Sequence, residues 1–185
     1  MTQPVRANEP TENTRKADYL TFFIAGEEYG IPILRAREIL ELQALTRVPA
    51  APACVRGVLN LRGAVVPVVD LAIQFGQPAC TAGKLTCVVV VEVALAGELA
   101  VMGLIVDSVH QTIELSESEI EATPAFGTIA RCEFLTGMGR VGAKFVLLLD
   151  LDSALSAEQL YRGVPAAGAV AGGQAEKGGG LAADV

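Results

Sequence analysis

Tryptophan is absent from this chain, histidine occurs once, and aromatic residues make up only 5% of it. The lone imidazole, His110, lies between Val109 and Gln111, the setting of an exposed strand residue rather than of a general base. One histidine cannot supply a histidine-rich zinc set, and Cys54, Cys80, Cys87 and Cys132 form no C-x-x-C pair. They read as reduced thiols that pack as small hydrophobes, although spacing alone does not fix the distance between two sulfurs. Basic residues are in deficit, 14 Lys and Arg against 21 Asp and Glu, for a net charge of -7. The electrostatic footprint of a nucleic-acid or anionic-membrane binder is therefore missing. Long apolar runs are missing too, despite a hydrophobic content of 51%. Pro67, Asp70, Glu92 and Asp107 cut the apolar stretches well below the ~20 residues a spanning helix needs. The opening MTQPVRANEPTENTRKAD has no apolar signal-peptide centre, so the expected location is the cytoplasm, without direct membrane insertion.

Catalytic patterns are absent as well. No G-x-S-x-G, P-loop or H-E-x-x-H occurs, and Gly137-Met138-Gly139 is not followed by a phosphate-loop pattern. Asp70, Asp107 and Asp150 each follow an apolar strand, with Asp152 close behind the last. Carboxylates there could bind a metal or exchange protons, but helix capping and turn formation are the plainer uses. Cys87 sits in an apolar strand, where burial opposes thiolate formation. The expectation is no enzyme, no cofactor and no metal.

What is present is a series of short apolar stretches divided by Gly and Pro, the pattern of a β-barrel or sandwich. Residues 1–17 read as a disordered arm, 18–161 as the folded part, and 162–185 as a disordered Ala/Gly-rich tail. Tyr19 to Ala25 alternates Leu20, Phe22 and Ile24 against Tyr19, Thr21 and Phe23, and Tyr29 to Ile33 pairs with it across Gly26-Glu27-Glu28. Pro32 should end that strand or place it at an edge. Leu34 to Leu40 fits a short helical turn or a bent strand. Val55 to Leu71 reads as two strands joined by a tight turn at Asn60-Leu61-Arg62-Gly63, with Arg62 at or beside it and Asp70 capping a short helix to Phe75. The loop from Gly76 to Lys84 marks the expected halfway division of the architecture. Leu85 to Val93 and Leu99 to Val106 follow, Val88 to Val91 being apolar enough to be covered on both faces. Val109 to Leu115 is a further strand, and Ser116 and Glu119 have capping-box spacing. Arg131 to Gly137 and Lys144 to Leu149 form a last hairpin about Gly139 to Gly142, and Asp152 or Ser153 caps a helix reaching about Tyr161.

Within Val55 to Leu71, Asn60-Leu61-Arg62-Gly63, Pro67 and Asp70-Leu71 resemble the signature of the CheW family, the coupling proteins of bacterial chemosensory arrays. The resemblance extends, in order, through Tyr29 to Ile33, Glu38-Ile39, Pro52, Gly103 to Asp107, Pro124, Phe126, Leu135 to Gly137 and Leu147 to Asp150. It implies a mainly β, CheW-like fold of two SH3-like five-stranded β-barrel subdomains with an intervening apolar groove and short helices, one near the C-terminus. It also implies a non-enzymatic adaptor linking a chemoreceptor's cytoplasmic signalling tip to the regulatory domain of a CheA-type histidine kinase, in arrays at the inner membrane.

By the same resemblance, Glu38 and Arg62 form a salt bridge near the receptor-binding surface, beside the turn that carries Asn60. The receptor groove takes in Ala36, Ile39, Arg56, Gly57, Gly63, Ile105 and Val109. From the residues alone, Arg62 could be an ordinary exposed turn arginine, and Ile39, Ile105 and Val109 could be plain core. Gly57 could be a bulge rather than a gap that admits a contact. The kinase contact is expected at Ile33 and Cys87, with a second, ring-closing one at Phe126. Glu121 stands where the family's best-known members carry a base. Two other functions fit the residues: an adaptor of a related kinase system controlling pili or development, or a small-ligand-binding or hydrolytic barrel in which Asp70, Asp107 and Asp150 converge.

Overall fold

A computed structural model describes residues 15–123 and 134–161. Strand β1, Lys16–Ile24, turns through Ala25-Gly26 into β2, Glu27–Pro32. A 3-10 turn, Ile33–Arg35, leads to β3, Ala36–Glu41; then come the hairpin β4, Val55–Leu61, and β5, Ala64–Asp70, and a one-turn helix α1, Leu71–Gln74. The second hairpin is β6, Cys87–Leu95, with β7, Glu98–Val106. Next are β8, Ser108–Ser116, a second 3-10 turn, Glu117–Glu119, and β9, Ile120–Glu121. The chain ends in the hairpin β10, Leu135–Val141, and β11, Lys144–Leu149, with helices α2, Leu151–Ala154, and α3, Ala157–Tyr161.

These strands form a six-stranded sheet, β8-β1-β2-β11-β10-β9, and a five-stranded sheet, β3-β6-β7-β5-β4. Each curls toward closure through the chain that follows its edge strand. In one, β9 follows β8 and pairs with β10, so the sixth strand is the short return of the first. In the other, Thr46 follows β3 and exchanges backbone hydrogen bonds of 3.0 and 2.8 Å with Val58 of β4.

The two halves of the chain have equivalent strand orders and exchange parts. The β1–β2 hairpin lies in one sheet, and β3, β4 and β5 cross into the other. The β6–β7 hairpin lies in that second sheet, and β8 to β11 cross back. Equivalent details recur. Gly30 faces Leu148 across a parallel β2–β11 pair, as Gly103 faces Val68 across a parallel β7–β5 pair. A bulge falls at Val55/Gly57 and again at Leu135/Gly137. The loop at 76–84 thus divides the chain into two equivalent units but does not divide the barrels. The crossings between sheets are at Ile33–Arg35 and at Asp107.

One large core is shared by both sheets. Leu20, Phe22 and Ile24 of β1 belong to the same buried cluster as Val89, Val91 and Val93 of β6. The alternate residues Val88 and Val90 point into a second cluster with Val68 and Ile105, so the Val88 to Val91 run is covered on both faces. A third cluster, Leu115, Val146 and Leu148, fills the six-stranded sheet. Each such side chain, when fully buried, contributes about 1.5–3 kcal/mol.

Several local expectations shift. β1 begins at Lys16, so Lys16 and Ala17 belong to the folded part and pair with Ser116 and Leu115. Residues 1–14 and 162–185 lie outside the described residues. Pro32 ends β2, which is an interior strand between β1 and β11. The last hairpin turns after Val141, which pairs with Lys144, at the end of the expected Gly139 to Gly142 span, while Gly139 and Arg140 are paired within β10. The final helical stretch is two helices, and the cap of the first is Asp150, which accepts from Asp152 and Ser153 backbone N–H groups at 3.1 Å. Asp152 is thereby free to accept from Ala94 N at 2.7 Å and to pair with Arg35, tying α2 to the five-stranded sheet.

Because each sheet takes strands from both units, cutting the chain between Ala82 and Gly83 should leave neither half able to fold alone. The 1–82 and 83–185 fragments, mixed in equal amounts, should regain a β-rich circular dichroism spectrum and cooperative melting. Cooperative melting by either fragment alone would contradict this topology.

Candidate functional site

Arg62 and Gly63 are the two central residues of the β4–β5 turn, and both have positive φ, 53° and 90°. That is the signature of a type I′ hairpin turn. Gly63 meets it without strain, whereas Arg62 holds a conformation that L-residues disfavour. The turn is secured locally by Asn60, whose Oδ1 accepts from Gly63 N at 2.8 Å.

Arg62 Nη2 donates to both Oε1 and Oε2 of Glu38, each at 3.1 Å. Glu38 is on β3 and Arg62 caps β4, the two outer strands of the five-stranded sheet. The ion pair therefore spans the seam where the barrel closes, beside the single Thr46–Val58 bridge. The Arg62 side chain is 80% exposed, so the pair adds only ~0–1 kcal/mol to stability. Its effect is positional: it holds the turn against β3, next to Ile39, itself an exposed hydrophobic residue.

Gly57 is a bulge. The β4–β5 register shifts between Val55 and Gly57, and Gly57 has φ 150°. A Cβ there would meet the carbonyl oxygen of Thr46 at 2.5 Å, so the residue is needed for close approach of the closing strand. Its neighbour Arg56 donates from Nη1 to Asp70 Oδ2 at 2.8 Å. Asp70 is fully buried and also accepts from Ala72 N at 3.1 Å and Cys80 N at 3.0 Å. It is at once the cap of α1 and the anchor of Arg56. Asp107 accepts from Ala25 N at 2.7 Å, and from the Cys80 thiol at 3.0 Å. Burial, then the Asp107 carboxylate, push that thiol up to about 12. Burial also raises the Cys54 and Cys87 thiols, in keeping with packing rather than reactive cysteines.

Of the expected receptor residues, Glu38, Ile39, Asn60, Arg62 and Gly63 come together around the turn, with Arg56 and Gly57 further along β4. Ala36 is half-buried at the start of β3. Ile105 is only 4% exposed and belongs to the inner cluster of the five-stranded sheet. Val109 is half-buried on β8, in the other sheet, against the shared core. Ile33 and Cys87 are not brought together. Ile33 precedes Ala36, which pairs with Val91 in the middle of β6, whereas Cys87 pairs with Glu41 at the start of that strand. Roughly 13–16 Å of strand lies between. Glu121 ends β9, 3.9 Å from Arg140 Nε. Phe126 lies outside the described residues. His110 sits on β8 with Nδ1 2.8 Å from Glu28 Oε1.

The carboxylates of a hydrolytic barrel do not assemble. Asp150 caps α2 in the six-stranded half, away from Asp70 and Asp107, and among the described residues no three His, Cys, Asp or Glu side chains could hold a metal. No helix among the described residues is long and apolar enough to cross a membrane. Sequence reasoning missed Arg47, which lines two adjoining recesses together with Arg56. An arginine in an irregular segment carries no periodic signal that would have marked it.

Gly57→Ala should destabilise the fold by about 2–4 kcal/mol, from positive φ and the clash with Thr46. Urea unfolding measures it, and a change below about 0.5 kcal/mol would contradict the close approach.

The CheW-like domain model matches residues 18–159. The chemotaxis protein CheW of Klebsiella aerogenes is 34% identical over 143 residues, covering 77% of this chain and 84% of that protein. That of Helicobacter pylori is 32% identical, covering 78% of this chain and 84% of that protein. In structure, the chain is similar to the scaffolding protein TtCheW from Thermoanaerobacter tengcongensis, with a TM-score of 0.67 at 28% identity, covering 80% of this chain and 93% of that one. Two barrels joined by exchanged strands, an Asn-Leu-Arg-Gly turn clasped to the facing strand, and these matches along nearly all of the described residues place this chain in the CheW family of chemotaxis adaptor proteins.

Proposed function

We propose that this chain works as a non-catalytic adaptor in the cytoplasm, holding chemoreceptor signalling tips and a CheA-type histidine kinase in one array. The observation that carries the reading is the Glu38–Arg62 pair across the barrel seam. It orders an exposed turn at little gain in stability, which fits a surface shaped for a partner better than one shaped for the fold. The receptor's helical tip lies along Ile39, Asn60, Arg62 and Gly63, with Arg56 and Gly57 further along β4. Ala36, Ile105 and Val109 act from beneath, setting the positions of β3, β7 and β8. The kinase's regulatory domain contacts the chain separately at Ile33 and the strand that begins at Cys87, with a second, ring-closing contact at Phe126 and Glu121.

The test is a pull-down against a receptor cytoplasmic signalling domain and the kinase regulatory domain from the same organism, with Arg62→Glu beside the wild type. Circular dichroism establishes that both are folded. Wild type should bind both partners, and Arg62→Glu should lose the receptor while keeping the kinase. Wild type that binds neither would overturn the adaptor reading. Receptor binding unchanged in the variant would move the receptor site away from the turn.

A further inference from the structure

Two recesses meet beside β4. One, of about 220 Å³, is lined by Leu42, Gln43, Leu45, Arg47, Arg56 and Ile105. The other, of about 270 Å³, shares Arg47 and Arg56 and adds an apolar wall that includes Val48, Pro52 and Val55. Arg47 and Arg56 thus line both recesses, in a chain whose acids outnumber its bases by 21 to 14. Arg56 is already engaged by the buried Asp70. Arg47 is not engaged: among the described residues no carboxylate pairs with it, whereas Arg35, Arg37, Arg56, Arg62 and Arg140 each face one.

We propose that this hollow receives an acidic side chain, Asp or Glu, from the receptor's helical tip, with Arg47 as its ion-pair partner. The proposal rests on the adaptor reading above and names the chemistry of the group recognised. Three further observations support it. The backbone on either side of Arg47 is held, by the two Thr46–Val58 hydrogen bonds and by Ala51 N donating to Val48 O at 3.4 Å. The guanidinium is therefore presented from a fixed segment, which lowers the entropy lost on pairing. Arg56, which lines the hollow, is next in sequence to the bulge at Gly57, on the strand that leads to the Arg62 turn. A recess of the other barrel has the opposite balance. It is lined by Pro32, Arg35, Thr136 and Leu149 to Asp152; its one guanidinium, Arg35, pairs with Asp152, and Asp150 adds a second carboxylate. An anionic group is drawn to the first hollow and repelled by the second, so the difference in sign gives orientation to a partner that meets two similar barrels.

The experiment titrates a purified receptor cytoplasmic signalling domain into wild type, Arg47→Lys, Arg47→Ala and Arg47→Glu by calorimetry at about 50 and 200 mM salt. The kinase regulatory domain is titrated in parallel. Arg47→Glu should weaken receptor binding about tenfold or more, Arg47→Ala about three- to fivefold, and Arg47→Lys least, with a shallower salt dependence in the Ala variant. Kinase affinity should not move. Replacing the tip's acids by Arg one at a time should identify one that restores binding to Arg47→Glu. Wild type binding with Arg47→Glu equal to it would overturn this inference alone. Equal weakening toward the kinase would make Arg47 a structural residue and overturn it as well. A wild type that binds no receptor domain would overturn the adaptor reading and this inference with it.

Discussion

Leu20, Phe22 and Ile24 on one side and Val89, Val91 and Val93 on the other share a single apolar layer, and neither sheet can bury its face without it. A six-stranded or five-stranded sheet alone would expose that layer to water. The crossings at Ile33–Arg35 and Asp107 commit strands of each unit to both sheets, so the layer cannot open without unthreading both barrels. Arg35 reinforces one crossing, reaching Glu92 O at 2.7 Å and pairing with Asp152. Asp107 reinforces the other by accepting from Ala25 N. The result is a rigid body whose loops and turns can be varied at little risk to the core, the property a docking scaffold needs.

On that body the site is assembled by short-range devices. A positive-φ turn presents Arg62, a bulge at Gly57 admits the closing strand, and the capped helix start at Asp70 anchors Arg56. The turn and the bulge are set by glycines that backbone geometry demands and lie on β4, at the seam of the five-stranded barrel, and Asp70 supports them from the neighbouring β5. The seam is the least hydrogen-bonded line on that sheet, with one bridge between Thr46 and Val58. Placing an ion pair there joins the position of the turn to the closure of the barrel. The same placement explains why an interaction worth so little in stability can matter for recognition: it selects one orientation of an exposed loop.

Much of this was legible in the sequence. Alternation in Tyr19 to Ala25 named the buried face of β1, and four consecutive valines announced a strand covered on both sides. Asn60-Leu61-Arg62-Gly63 identified both the turn and the family. Periodicity reports which face of a strand is apolar but not which sheet the strand joins, so the exchange between halves stayed hidden, and the 76–84 loop showed only the halfway division of the architecture. Asp150, Asp152 and Ser153 lie within four positions, each chemically fit to cap, and only the backbone selects Asp150. Ile105 and Ile39 are the same residue type, yet one is inner core and the other exposed, a difference fixed by pairing register. Arg47 owes its place to a closing segment with no repeat to read.

The central claim is that Glu38 and Arg62 act on recognition rather than on folding. A double-mutant cycle over Glu38→Ala and Arg62→Ala, read both in urea stability and in affinity for the receptor signalling domain, tests it most directly. The coupling between the two residues should be below about 1 kcal/mol in stability and clearly larger in receptor affinity. Coupling confined to stability, with receptor affinity additive, would contradict it.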